Sequence, residues 1–291
     1  MKTPTAYRYF RFIGAGLGVL LLGSLGAAET QTVQRFDRTI TKKVGYEYLL
    51  SLPQGYDPAG GKKWPLMLFL HGSGERGSDI WLVAKHGPPK LLRGEAPAPA
   101  GETPDARARR EAATKALAEN FIVVSPQCPG GVWWDDDAIG ALLDEIAAKH
   151  KVDGDRVYLT GLSMGGYGTW SYAMRNPGRF AAIVPICGGG EPGIVRRMAR
   201  QKKAELTNLA VWVFHGAKDP AVPLEESEAM VAALKKAGST ELQFTIYPEA
   251  MHDSWTETYA NPELYAWLLK QERRTVAVSA PPPSAARKKK K

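Results

Sequence analysis

Cysteine is scarce in this chain, with only Cys128 and Cys187 among 291 residues. Two thiols cannot staple a scaffold, and a body of roughly 250 residues buries enough apolar surface to fold without staples. Each cysteine follows a different apolar run, and the expected sheet places two further strands between those runs. With neighbouring strands about 4.8 Å apart, the gap exceeds disulfide reach, so two free or independently buried thiols are expected. Net charge is also absent once the ends are set aside. Lys2, Arg8 and Arg11 carry +3 of the total +8, and Arg287 with the four lysines after it carries +5, which leaves residues 29–286 formally neutral. A neutral body lacks the basic footprint of a nucleic-acid-binding protein. Internal repeats and a mid-chain linker are missing too, which points to one domain.

The ends differ in composition from the rest. A basic start leads into a 17-residue apolar run over residues 12–28 that finishes in Gly26-Ala27-Ala28. This pattern predicts a secretory leader cleaved after Ala28, and hence a secreted or periplasmic protein without stable membrane insertion. An uncleaved anchor is the alternative, because 17 residues lie at the lower edge of spanning length. No cysteine follows the run to carry a lipid. Residues 276–291 are rich in proline and lysine and read as a solvated tail, which leaves residues 29–275 as the folded domain.

Inside that domain, unbroken apolar runs alternate with helical patterns. Residues 65–70, 121–124, 157–160, 180–186, 209–214 and 242–247 read as strands covered on both faces. Residues 34–40 and 46–50 read as an antiparallel pair at the start. Residues 138–150, 225–236 and 262–272 show apolar stripes at helical spacing, and residues 94–113 read as a surface excursion. The expected fold is α/β: a mostly parallel sheet with an antiparallel start and helices on both faces.

Gly161-Leu162-Ser163-Met164-Gly165-Gly166 stands between a strand-like run and a helix-like run. A serine at such a sharp turn has a strained backbone, and its flanking positions must be nearly free of side chain. Ser163 is therefore the candidate nucleophile. The Met164 amide, at a helix N-terminus, is one candidate oxyanion donor. A serine hydroxyl needs a base and an orienting acid, and two later strand ends offer them. His215-Gly216-Ala217-Lys218-Asp219 follows one, and Pro248-Glu249-Ala250-Met251-His252 follows the next. Loops at the carboxyl ends of parallel strands share one sheet edge, so Ser163, Asp219 and His252 can converge there. His71 and His215 belong to His-Gly turns, His150 ends a helix, and His86 precedes the catalytic strands. Asp253 and Glu249 do not follow the penultimate strand, whereas Asp219 does.

Together with Leu70-His71-Gly72-Ser73-Gly74-Glu75-Arg76-Gly77, these motifs resemble the secreted α/β-hydrolases of the esterase and predicted-peptidase type, similar to feruloyl-esterase and polyhydroxybutyrate-depolymerase-like enzymes. The resemblance covers residues 45–267. It implies a Ser-His-Asp triad acting on carboxylic esters through an acyl-enzyme, with the Ser73 amide as second oxyanion donor. It also implies a small-molecule or polysaccharide-linked ester as substrate. No lid-like insertion is evident, which disfavours a lipase. The same triad serves peptidases, and a hydrolase-like binding protein without catalysis shares the fold; the absence of a propeller or other substrate-gripping domain favours the ester reading.

Trp133, Trp134 and Trp255 lie near the candidate triad in sequence or topology and are candidates either for a substrate pocket or for the core. Asp135-Asp136-Asp137 lacks the regular oxygen spacing of a calcium loop and reads as a helix start. Glu75 and Arg76 fit a loop-stabilising ion pair or a contact to a substrate carboxylate. No cofactor or metal is expected.

Overall fold

The computed structural model describes residues 32–94 and 101–274. The expected leader over residues 1–28 and the tail over residues 276–291 lie outside them. Residues 32–42 belong to a separate unit and carry no strand, so the expected strand at residues 34–40 is absent; Val33, Phe36 and Ile40 are exposed.

The unit from residue 43 onward is built on a seven-stranded sheet of β1 (Tyr48–Ser51), β2 (Trp64–Leu70), β3 (Ile122–Pro126), β4 (Val152–Leu162), β5 (Ala182–Ile186), β6 (Ala210–Gly216) and β7 (Leu242–Tyr247). The spatial order is β1-β3-β2-β4-β5-β6-β7. β1 runs antiparallel to β3, with Tyr48 opposite Pro126, and every other pairing is parallel. The antiparallel start is therefore made by β1 against β3 rather than against residues 34–40.

Nine helices surround the sheet among the described residues: α1 (Gly87–Arg93), α2 (Pro104–Asn120), α3 (Asp136–Lys149), α4 (Met164–Arg175), α5 (Pro192–Gln201), α6 (Lys203–Asn208), α7 (Leu224–Ala237), α8 (Trp255–Tyr259) and α9 (Pro262–Leu269). Strand alternation sorts them into two layers. Leu66, Leu68 and Leu70 of β2 join Ile139, Leu142, Trp170, Val195, Met230 and Leu234 in one core. Met67 and Phe69 face the other way and join Leu117, Tyr259, Leu264 and Leu268. Each such fully buried Leu or Phe contributes roughly 1.5–3 kcal/mol of transfer free energy. A strand buried on both faces has no polar side, which is why its sequence runs apolar without a break.

The segment read as a surface excursion ends in α2. Thr103 caps it, its Oγ1 accepting from the Ala106 amide at 3.2 Å, and Pro104 occupies the first turn. Only Ala113 and Leu117 are buried in this helix, so it shows almost no apolar stripe. Its helicity comes from alanine, arginine and glutamate propensity instead. α5 turns Ile194, Val195 and Met198 to the core, whereas the short α6 buries only Leu206.

Cys128 and Cys187 follow β3 and β5, are buried, and are not bonded to each other. β2 and β4 lie between their strands. No described helix is long and apolar enough to cross a membrane.

Candidate active site

The site stands at the carboxyl edge of the sheet, where β4, β6 and β7 each release one loop. At the end of β4, Ser163 takes φ 52 and ψ −117 before α4 begins at Met164. A non-glycine residue held there stores of order 1–3 kcal/mol of strain. Contacts on both sides hold the turn closed. The Ser163 amide donates to Ile186 O at 3.0 Å, and the Tyr167 amide donates to Ser163 O at 3.0 Å. A Cβ on Gly161 would lie 2.3 Å from Gly165 O, and one on Gly165 would lie 1.9 Å from Leu70 O. Backbone passes where a side chain would start, so the turn requires glycine at both places.

The loops after β6 and β7 are tied to each other. The Lys218 amide donates to Ala250 O at 3.0 Å, and Lys218 also pairs with Glu249. A Cβ on Gly216 would meet Met251 O at 2.1 Å, so the His-Gly turn ends β6 with room for the neighbouring loop. This packing brings three distant side chains together. His252 Nε2 lies 2.9 Å from Ser163 Oγ, and His252 Nδ1 lies 2.7 Å from Asp219 Oδ2. The carboxylate accepts from Nδ1–H, which leaves Nε2 unprotonated toward the hydroxyl.

Asp219 is fixed before His252 reaches it. Its Oδ1 accepts from the amides of Ala221 at 2.8 Å and Val222 at 2.9 Å. Burial of the side chain pushes the carboxyl up, but the hydrogen bonds from His252 and the two amides outweigh it, so the group stays below the ordinary carboxylate value. Hydrogen bonds to the charged form favour that form.

Ser73 opens a single 3-10 turn after β2, and Met164 opens α4. As first residues of their turns, neither has an acceptor for its amide within its own element. The loop between them is close: a Cβ on Gly72 would lie 3.6 Å from Ser163 Cβ. Arg76 holds this loop, donating through Nε to Ser73 O at 3.0 Å and through Nη1 to Val132 O at 3.1 Å. No ion pair joins Glu75 to Arg76 among the described residues; Glu75 is buried and lies 3.7 Å from His86 Nε2.

The three tryptophans separate. Trp133 is 63% exposed and meets Tyr167 edge to face at 6.0 Å. Trp134 is buried, donates its indole N–H to His71 O at 3.2 Å and packs on the His71 ring at 4.8 Å. Both line a cavity of about 310 Å³ with Tyr167, Trp170, Met174 and Ile194. Trp255 lies elsewhere, behind the imidazole of His252 at 5.2 Å, and its indole N–H reaches His86 Nδ1 at 3.3 Å. His86 is thus part of the backing of the site, a role its position before the later strands did not reveal.

His71 is buried: its Nδ1–H donates to Gly72 O at 2.6 Å, and its Nε2 accepts from the Cys128 amide at 2.9 Å. Burial lowers its pKa to about 4, the nearby Arg76 lowering it further against the Gly72 bond. His150 ends α3 and its Nδ1 lies 3.5 Å from the Tyr56 hydroxyl. Asp135 caps α3, accepting from the Ala138 amide at 3.1 Å, and Asp136 pairs with Arg175 at 3.2 Å. Cys187, Asp219 and His252 hold their donor atoms within 4.8 Å of one another. Burial pushes the Cys187 thiol up to about 12, which disfavours the thiolate that a metal would need.

The model of the dienelactone hydrolase family matches residues 91–266. Poly(3-hydroxyalkanoate) depolymerase C of Paucimonas lemoignei is 42% identical over 52 residues, which are 18% of this chain and 13% of that protein. The chain spans less than half the length of the curated relatives it matches. Of solved structures, a thermostable esterase superposes with a TM-score of 0.59 at 32% identity, covering 78% of this chain and 59% of that one. A ferulic acid esterase superposes with a TM-score of 0.54 at 22% identity over 76% of this chain and 90% of its own, a likeness of fold. The family match takes in both loops that carry Asp219 and His252 as well as the turn at Ser163, and on it this chain belongs to the dienelactone hydrolase family.

Proposed function

We propose that this protein is a serine hydrolase of carboxylic esters. The observation that carries the reading is the unbroken chain of contacts from Ser163 Oγ through both nitrogens of His252 to Asp219, at 2.9 and 2.7 Å. His252 Nε2 takes the hydroxyl proton as Ser163 Oγ bonds to the ester carbonyl carbon. The negative oxygen is received by the amides of Ser73 and Met164. Collapse breaks the bond to the alcohol, which leaves with the proton held on Nε2. Water then attacks the acyl-enzyme, gives its proton to Nε2, and the carboxylic acid is released as that proton returns to Ser163.

The aromatic cavity beside α4 supports an ester with an aromatic or extended apolar part seated against Trp133 and Tyr167, with Trp134 at the base of that wall. Trp255 acts by backing His252. The relatives' names include a polyhydroxyalkanoate depolymerase and a ferulic acid esterase, both of which name carboxylic esters, and we take a small or polysaccharide-linked ester as the substrate. We place the mature start after Ala28, which makes the enzyme secreted or periplasmic; sequencing the N-terminus of exported protein checks this.

Ser163→Ala should lower turnover of p-nitrophenyl acetate roughly a millionfold where chemistry limits the rate, and should abolish fluorophosphonate labelling. Near-parental turnover in that variant refutes the assignment. Aminoacyl anilides assayed beside aryl esters separate esterase from peptidase, and faster anilide cleavage would reverse the preference.

A further inference from the structure

A second buried imidazole faces the same carboxylate. His215, the last residue but one of β6, has no exposed surface, and its Nε2 lies 3.3 Å from Asp219 Oδ2 and 3.0 Å from Val222 O. Both of these groups can only accept, so Nε2 carries the hydrogen. Its better-directed bond goes to Val222 O, while the positive edge of the same N–H lies against Oδ2. The other nitrogen, Nδ1, lies 2.8 Å from Ser227 Oγ of α7, and that hydroxyl is also 3.0 Å from Gly188 O after β5. With Nε2 carrying the hydrogen, Nδ1 accepts from the Ser227 hydroxyl, so His215 is braced from α7 while it grips the loop that presents Asp219.

The grip closes a small ring. Val222 O accepts from His215, and the Val222 amide donates to Asp219 Oδ1 at 2.9 Å. Asp219 Oδ2 is left with His252 Nδ1 on one side, at 2.7 Å, and the His215 ring edge on the other. The two amides hold Oδ1, and the His215 edge is the second contact on Oδ2, so without it the oxygen that orients His252 is held by His252 alone. From this geometry we infer that His215 is a positioning residue for catalysis, holding Asp219 in line with His252 and moderating the charge it presents to that imidazole. The inference rests on the triad reading above.

The consequence appears in the pH profile. A positive N–H edge beside Oδ2 withdraws part of its charge, so the carboxylate stabilises a protonated His252 less than a bare one would. Without that edge, protonated His252 is favoured and the active base appears only at higher pH. The other titratable groups around the pair are Cys187 from the β5 end, Tyr167 from α4, Asp253 beside His252, and Glu226 of α7 near Tyr167. Burial raises both the Cys187 thiol and the Tyr167 phenol, so both stay neutral across the working range. His86 and Glu75 stand behind Trp255. None of these groups replaces the His215 contact.

The test compares His215→Asn, whose amide reaches only the Nδ1 position, with His215→Gln, whose amide nitrogen reaches the Nε2 position. Turnover of p-nitrophenyl acetate is normalised to sites counted with a fluorophosphonate. His215→Asn should lower kcat at neutral pH about tenfold or more with KM within about twofold, and should move the acidic limb of kcat/KM up by about half a pH unit. His215→Gln should restore much of both. Ser227→Ala, which removes only the outer brace, should move the limb the same way by less, and serves if His215→Asn does not fold. An acidic limb that stays in place or moves down, with only the melting temperature lowered, overturns the inference. Ser163→Ala run in parallel separates the two failures: if it stays active the triad reading falls, and if it is inactive while the His215 profiles match the parent, only the role of His215 falls.

Discussion

The guanidinium of Arg76 bonds two backbone carbonyls, Ser73 O on its own turn and Val132 O one residue before Trp133, at 3.0 and 3.1 Å. One side chain thereby ties the turn of the proposed oxyanion donor to the loop that walls the aromatic cavity. A planar fork with several donors suits two carbonyls in a way a single ammonium does not.

Arg76→Ala should therefore lower kcat on aryl esters by about tenfold, less than the hundred- to thousandfold cost of deleting an oxyanion donor outright. Arg76→Lys should recover little of it. Steady-state kinetics on p-nitrophenyl acetate decide the matter, and unchanged kcat would detach Arg76 from the oxyanion turn.

Trp133 is the exposed wall of the cavity, so Trp133→Ala should remove contact area without disturbing the core. KM for esters with an aromatic or long acyl part should rise about tenfold, in keeping with the loss of an aromatic contact, while acetyl esters change little. A graded ester panel reads this out directly.

Gly165 admits no side chain, because an added Cβ would lie 1.9 Å from Leu70 O. Gly165→Ala should cost about 3 kcal/mol or more, since backbone rather than a flexible side chain must move. Gly130→Ala is the control: an added Cβ there meets nothing within 4 Å. Denaturant midpoints of the two variants should differ accordingly.

The buried His71 makes stability depend on acid. Its pKa is near 4 in the fold against 6.5 in a free histidine, so the unfolded chain binds the extra proton first. Stability is therefore full above about pH 6.5 and is lost as pH falls toward 4, by about 3 kcal/mol over that window. Burial is the main cause, and protonating Nε2 would also break the bond it accepts from the Cys128 amide. His71→Gln should flatten the slope of unfolding free energy between pH 4 and 6.5, as measured by urea titration.

Both thiols should resist modification in the folded protein. Burial raises Cys128 to about 11 and Cys187 to about 12, and the thiolate is the reactive form. Ellman's reagent should titrate neither at pH 8 under native conditions and both in guanidinium. A reductant should leave the melting temperature unchanged, since no disulfide joins them.

Local demands were legible in the residues. The run 65–70 reads as a doubly covered strand and is one, and the glycines around Ser163 read as a tight turn and lie where other backbone crosses. Segments whose structure rests on propensity and capping were harder to see. α2 buries only Ala113 and Leu117 and carries no apolar stripe, so its visible signal was Thr103-Pro104 followed by alanine and arginine. The partner of β1 was also hidden, because antiparallel pairing with β3 joins segments more than 70 residues apart.

The amino-acid order by itself determined which turns hold a serine, an aspartate and a histidine, and that each follows a strand of one sheet, because strand periodicity and glycine demand are short-range properties. Only the tertiary structure decided that His215 also lies against Asp219, that Arg76 and Glu75 take different partners, and that Trp255 stands against the His252 imidazole. Those outcomes depend on how loops from different strands pack at the sheet edge, and a distance of 3 Å between residues 89 positions apart is set by every layer beneath it.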